Sequence, residues 1–195
     1  MKAGLRVVYT PGRLAARVGQ MARAISRDYR GRRLDVIVML ENGFMFAADL
    51  LRRIDVPVIC HFVREEMRDI EQSGFRRREV SFTARPALKG RNVLLVDAVL
   101  ETGVPQEFLV RRLLESKPKS LKLAVLLDKP QGRKVNLKAD YVGFVTASNK
   151  LVGYGLSGRG GYERGLPGVA VESASRRARN NPWRSARPAA GRRRK

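Results

Sequence analysis

Residues 92–107 read NVLLVDAVLETGVPQE, and the order of residue types in this stretch decides the fold. Val93-Leu94-Leu95-Val96 is a continuous apolar run of the length expected for a strand buried on both faces of a parallel sheet. Asp97 is expected to end that strand. After Val99 and Leu100, Glu101-Thr102-Gly103-Val104-Pro105 is a glycine-containing turn running into a helical pattern that starts near Gln106. Such a turn at the carboxyl end of a strand offers backbone N–H groups and the positive end of a helix dipole, which suits a phosphate. A strand-ending Asp with an ordinary turn is the competing structural reading.

Outward from this stretch, strand-like and helix-like patterns alternate. Leu5–Tyr9 reads as a short strand, and Thr10-Pro11 as a helix start with a capping hydroxyl and Pro in the first turn. Leu14, Val18, Met21 and Ile25 recur at helical spacing, and Gly31 is expected to end that helix. LDVIVML (34–40) is a second buried-strand candidate, followed by Glu41-Asn42-Gly43 and a helix over residues 44–51; VPVICHFV (56–63) is a third strand. Residues 64–79, REEMRDIEQSGFRRRE, are densely charged and predict a mobile loop or an extended hairpin. Beyond the central stretch, Phe108, Leu109, Leu113 and Leu114 predict a helix ending near Lys117-Pro118. LKLAVLL (121–127) is another strand, closed by Asp128-Lys129-Pro130, and shorter strands are expected at 141–144, 152–154 and 168–171. This alternation predicts an α/β fold with a central parallel sheet flanked by helices.

The chain has 195 residues, enough for one domain with a substantial core. No apolar run approaches the ~18 residues of a membrane span, and no N-terminal stretch has a signal-peptide core, so a cytoplasmic protein is expected. Cys60 is the only cysteine, which excludes a disulfide framework and a cysteine-based zinc site. The net charge is +22, and residues 173–195 carry nine Lys or Arg and no acid. We therefore divide the chain into a folded domain, 1–172, and a basic tail, 173–195, expected to be disordered. Arg176, Arg177, Arg179, Arg192, Arg193 and Arg194, with Trp183 among the tail's cations, suggest binding to RNA or another polyanion. His61, alone in an apolar strand, reads as a core or edge histidine rather than a catalytic one.

The order strand, acid, two apolar residues, acid, Thr, Gly resembles the phosphoribosyl-pyrophosphate (PRPP) motif of type I phosphoribosyltransferases. Further pieces make the chain similar to the hypoxanthine-guanine branch from about Leu5 to Val171: AISRDYRG (24–31), the Leu40–Gly43 turn, LLDKP (126–130), KADYVGF (138–144), VGYGL (152–156) and the Tyr162–Arg164 segment. The resemblance implies a type I phosphoribosyltransferase-like fold with a small hood or hairpin region. It also implies transfer of the phosphoribosyl group of PRPP to hypoxanthine or guanine with magnesium, that is purine salvage, in a homodimer or homotetramer.

Carried over by motif, Glu101 is the acid near the purine's reacting nitrogen, placed to accept its proton and to stabilise charge on the sugar. Asp97 holds a ribose hydroxyl, and no metal ligand is directly assignable beyond Asp97 acting through the ribose. Thr102, Gly103 and Val104 cradle the 5′-phosphate, while Asn42, Gly43 and Arg164 lie on the pyrophosphate side. Lys129, Leu151 and Val152 form the purine side, although Lys129 also reads as the end of a strand in a Lys-Pro turn. Several positions depart from the family pattern: Ala98 replaces the second acid, Pro105 the final Thr, Glu41-Asn42 a Lys-Gly pair, Leu151 a stacking aromatic and Ser157 an Asp. They suggest the alternative of a catalytically impaired relative that binds nucleic acid and responds to PRPP or a nucleotide.

Overall fold

Strands β2 (Leu34–Leu40), β5 (Asn92–Leu100) and β6 (Ser120–Asp128) form the middle of a six-stranded sheet. Their apolar runs leave both faces buried, as a parallel sheet with helices on each side requires. The computed structural model describes residues 5–72, 75–82, 87–158 and 161–172, with backbone alone over 65–82. The basic tail, 173–195, with the six arginines named for it, lies outside the described residues.

Strand β3 (Val58–Gln72) lies beside β2, and β7 (Tyr141–Val145) beside β6, so that β3-β2-β5-β6-β7 run parallel. The charged segment after Val63 is an extended hairpin: β3 runs on to Gln72 and pairs antiparallel with β4 (Phe75–Phe82). A second, antiparallel sheet of β1 (Leu5–Tyr9), β9 (Val169–Glu172) and β8 (Leu151–Val152) forms the small hood region.

Side chains that alternate along β2 and β5 divide the core. Helices α1 (Pro11–Asp28) and α2 (Phe44–Leu51) pack Leu14, Val18, Ile25, Phe46 and Leu50 against Val36, Val38, Leu94 and Val96. On the other face Leu109 and Leu113 of α3 (Val104–Leu114) meet Ile37, Leu95, Leu123 and Val125. Thr10 caps α1, its side chain accepting from Arg13 N at 3.3 Å, and the chain turns at Gly31 (φ 69°).

Two boundaries differ from expectation. Asp97 does not end its strand, because β5 continues to Leu100; its carboxylate accepts from Ala98 N and Gln106 Nε2, which gives each oxygen a partner inside the sheet. Helix α3 starts at Val104, and its Phe108 and Leu114 are exposed while Gln106 is buried.

Candidate active site

The parallel strands deliver their carboxyl ends to one edge of the sheet, where Glu101, Thr102 and Gly103 follow β5 and Lys129 follows β6. Past Leu100 the chain turns through Glu101 and Thr102 to Gly103, which takes the left-handed conformation (φ 78°) as the residue capping α3. A Cβ at Gly103 would lie 2.8 Å from Val135 Cγ2, so close approach and backbone hand both demand glycine. Thr102 Oγ1 accepts weakly from Val104 N at 3.4 Å. This turn opens an eleven-residue helix, giving N–H groups and a dipole aimed at one point.

Glu101 Oε1 and Lys129 Nζ form an ion pair at 2.8 Å. The Lys129 side chain is 10% exposed and that of Glu101 47%, so the lysine is set in the wall and the carboxylate faces the opening. Lys129 leaves β6 and is followed by a short turn, Pro130–Gly132. Gly132 gives the Glu101 side chain its place, since a Cβ there would meet Glu101 Cγ at 2.8 Å. Behind both, Arg133 donates to the Glu101 and Leu100 carbonyls at 3.0 and 3.1 Å, to the Leu137 carbonyl, and to Asp128 Oδ1.

Asp97 and Ala98 point to opposite faces of β5, as neighbours in a strand must. The Asp97 carboxylate faces α3, where Gln106 Nε2 donates to its Oδ2 at 2.5 Å and to Val99 O at 3.2 Å. Ala98 is fully buried on the α2 face. The Glu41–Gly43 turn covers this part of β5: a Cβ on Gly43 would lie 2.6 Å from Met39 O and 3.6 Å from Ala98 N.

Arg164 reaches the same turn from the hood, donating to Asn42 Oδ1 at 2.8 Å, Gly155 O at 2.7 Å and Glu41 Oε2 at 3.1 Å. Glu41 also binds Arg64, and that hydrogen bond, with the charges of Arg64 and Arg164, holds its carboxyl below the usual glutamate range. The acid in the loop is thus neutralised by two guanidinium groups. Leu151 and Val152 line a cleft of about 300 Å³ with Lys150, Ser157 and Glu172. Among the described residues, no hydrogen bond or ion pair links this cleft to Lys129.

Sequence reasoning missed Gln106, Arg133, Arg64 and the role of Glu41. Only Gln106 left a trace, as a polar residue in the first turn of a helix whose other inward positions are apolar. His61 is tied to a carboxylate: its Nε2 lies 3.0 Å from Asp35 Oδ1, far from the strand ends that carry Glu101 and Lys129.

Comparison with known proteins gives the same result. The phosphoribosyl transferase domain family matches residues 8–157. The hypoxanthine-guanine phosphoribosyltransferase of Aquifex aeolicus is 37% identical over 154 residues, 78% of this chain and 86% of that protein. The bifunctional TilS/HprT protein of Listeria monocytogenes is 32% identical over 85% of this chain, which spans only 26% of that protein. A crystal structure of a hypoxanthine-guanine phosphoribosyltransferase from Bacillus anthracis superposes with a TM-score of 0.74 at 33% identity, covering 85% of this chain and 96% of that one. With the Gly103 turn, the Glu101–Lys129 pair and the five-stranded parallel sheet in place, the chain belongs to the phosphoribosyl transferase domain family.

Proposed function

We propose that the chain is a hypoxanthine-guanine-type phosphoribosyltransferase, which joins the 5-phosphoribosyl group of PRPP to a 6-oxopurine and releases pyrophosphate. The observation that carries this reading is the Glu101–Lys129 pair at the ends of neighbouring parallel strands, beside the Gly103 turn. In it, the turn's N–H groups hold the 5′-phosphate, Lys129 donates to the purine's exocyclic oxygen, and Glu101 accepts the base's proton while stabilising positive charge on the sugar. Arg164 faces the departing pyrophosphate.

Magnesium suits this site as an ion carried by the substrate. Among the described residues no group of three His, Cys, Asp or Glu side chains could hold a metal, and magnesium is commonly bound by one or two carboxylates together with substrate phosphates. Its chemistry would be to neutralise the leaving pyrophosphate.

Nucleotide formation from PRPP with hypoxanthine, guanine and xanthine, with and without magnesium, tests the assignment. Product from hypoxanthine or guanine only with magnesium is expected; no product with any base would refute it. The second reading, an impaired relative, draws support from buried Ala98 where a ribose-binding acid belongs. Exposed Phe44, Ile59 and Phe62 support a homo-oligomer, which sedimentation would size. For the basic tail we infer RNA binding from its nine cations: deleting 173–195 should remove most RNA affinity, and equal binding by the shortened chain would contradict this.

A further inference from the structure

The sheet's amino end carries a charged cleft of its own. Arg32, Arg33, Arg91 and Lys119, with Asp35 and Asn92, line an open depression of about 340 Å³. Leu34 pairs with Asn92 and Asn92 with Ser120, so Arg33, Arg91 and Lys119 each lead one of three adjacent strands in register. Adjacent strands lie about 4.8 Å apart, which sets the backbones of these three residues in a row about 10 Å long.

The row is built rather than incidental. Asn92 Nδ2 donates to Arg33 O at 3.3 Å, Lys119 N to Arg91 O at 2.8 Å, and Ser120 Oγ to Asn92 Oδ1 at 3.1 Å. Beneath them Asp35, its side chain 4% exposed, lies 3.5 Å from Arg91 Nη1 and 3.0 Å from His61 Nε2. The lining therefore holds four cations and one carboxylate, which pairs with Arg91, and no salt bridge joins Arg32, Arg33 or Lys119 to an acid among the described residues. Their mutual repulsion favours an anion in the cleft.

We propose that this cleft binds the phosphodiester backbone of a nucleic acid strand without reading its bases. The lining is charged, open and free of aromatic rings, unlike the mostly apolar, enclosed sites of small molecules. Guanidinium and ammonium groups without stacking platforms contact phosphates, which carry no sequence information. The inference does not depend on the phosphoribosyltransferase reading, and its test uses no transfer assay.

Two full-length variants with the same net charge separate the cleft from general basicity: Arg32→Ala/Arg33→Ala/Lys119→Ala, and Arg192→Ala/Arg193→Ala/Arg194→Ala in the tail. Binding of a short labelled RNA of mixed sequence is followed by fluorescence anisotropy against salt, with DNA of the same sequence and inorganic triphosphate as further arms. The cleft variant should lose at least tenfold in affinity and about two units of log–log salt slope, the worth of about three single-strand phosphate contacts. The tail variant keeps six of the tail's nine cations and should lose less, and DNA should behave like RNA. Equal losses in the two variants, or a cleft variant that binds like wild type, would overturn the proposal. So would triphosphate binding that depends on the cleft while RNA binding does not. Should the triple variant melt early, Lys119→Ala alone carries the test, with about a third of the slope change.

Discussion

Lys129 Nζ and Glu101 Oε1 lie 2.8 Å apart, one from the end of β6 and the other just past the end of β5. An ammonium has three donors, so Lys129 can hold Glu101 and still offer a proton to a purine oxygen. The contact fixes the carboxylate at the mouth of the site, where the proposed reaction needs a proton acceptor.

Glu101→Gln keeps the shape of that contact and removes its charge. Turnover should fall by about 10²- to 10⁴-fold, the usual worth of a positioned acid or base, while PRPP affinity stays within a few-fold of wild type. Steady-state rates together with PRPP calorimetry check it; unchanged turnover would remove Glu101 from the chemistry.

Arg164 is held by Glu41, Asn42 and the Gly155 carbonyl. A pyrophosphate that engages this guanidinium competes with the Glu41 carboxylate. Glu41→Gln should therefore tighten pyrophosphate and PRPP binding by up to about fivefold, the scale of one exposed charge. Because Arg64 and Arg164 depress the Glu41 carboxyl, its charge persists above the ordinary glutamate value and is lost only as pH falls through the lower folded value. The ratio of variant to wild-type affinity should accordingly stay constant across the neutral range, which pyrophosphate titration at several pH values would measure.

Ala98→Asp places a carboxylate at a fully buried position among apolar residues. The variant should unfold more easily, by about 1–3 kcal/mol. If PRPP docks as in the proposed enzyme, the ribose hydroxyls partner the new acid, and PRPP with magnesium should raise the variant's melting temperature more than that of wild type. A smaller rise in the variant would favour the impaired relative.

A cluster at the other edge of the sheet ties stability to pH. Asp28 accepts from Tyr141 OH at 2.7 Å and from Lys122 Nζ at 3.2 Å. The Tyr141 bond outweighs partial burial and holds the Asp28 carboxyl below its usual 3.8. Hydrogen bonding to Tyr141 and Asp28 raises the Lys122 ammonium, and burial raises the Tyr141 hydroxyl. The Asp28 contribution is present above its unfolded value and lost as pH falls through the folded one; those of Lys122 and Tyr141 are present below theirs and lost as pH rises. Tyr141→Phe should cost about 1 kcal/mol near neutrality and flatten both flanks of the melting-temperature profile; an unchanged profile would contradict the assignment.

What the sequence made legible follows from how local each signal is. The runs at 34–40, 93–96 and 121–127 announce strands because both of their faces are apolar. The turn at Gly103 is visible because only glycine suits its geometry, whereas Glu101 and Lys129 are singled out by the resemblance to the phosphoribosyltransferase motifs, since spacing alone leaves Lys129 the end of a strand. By contrast, the extension of β5 past Asp97 depends on Gln106, a full helix start away, and Glu41 is matched with Arg164 across most of the chain. No periodicity encodes such pairs. Phe108 and Leu114 fit a helical apolar pattern, yet they sit on the exposed side of α3 because its inward face uses Gln106, Leu109 and Leu113.

Arg133 has a consequence for how this protein can vary. One planar guanidinium ties the backbone at Leu100 and Glu101 to Asp128 and to the Leu137 carbonyl, so the segment after β6 and the turn after β5 behave as a single mechanical part. An insertion or deletion between Pro130 and Leu137 would displace Arg133 and so pull on the Leu100 and Glu101 carbonyls. The length of that connection is thereby set by chemistry at a turn much earlier in the chain.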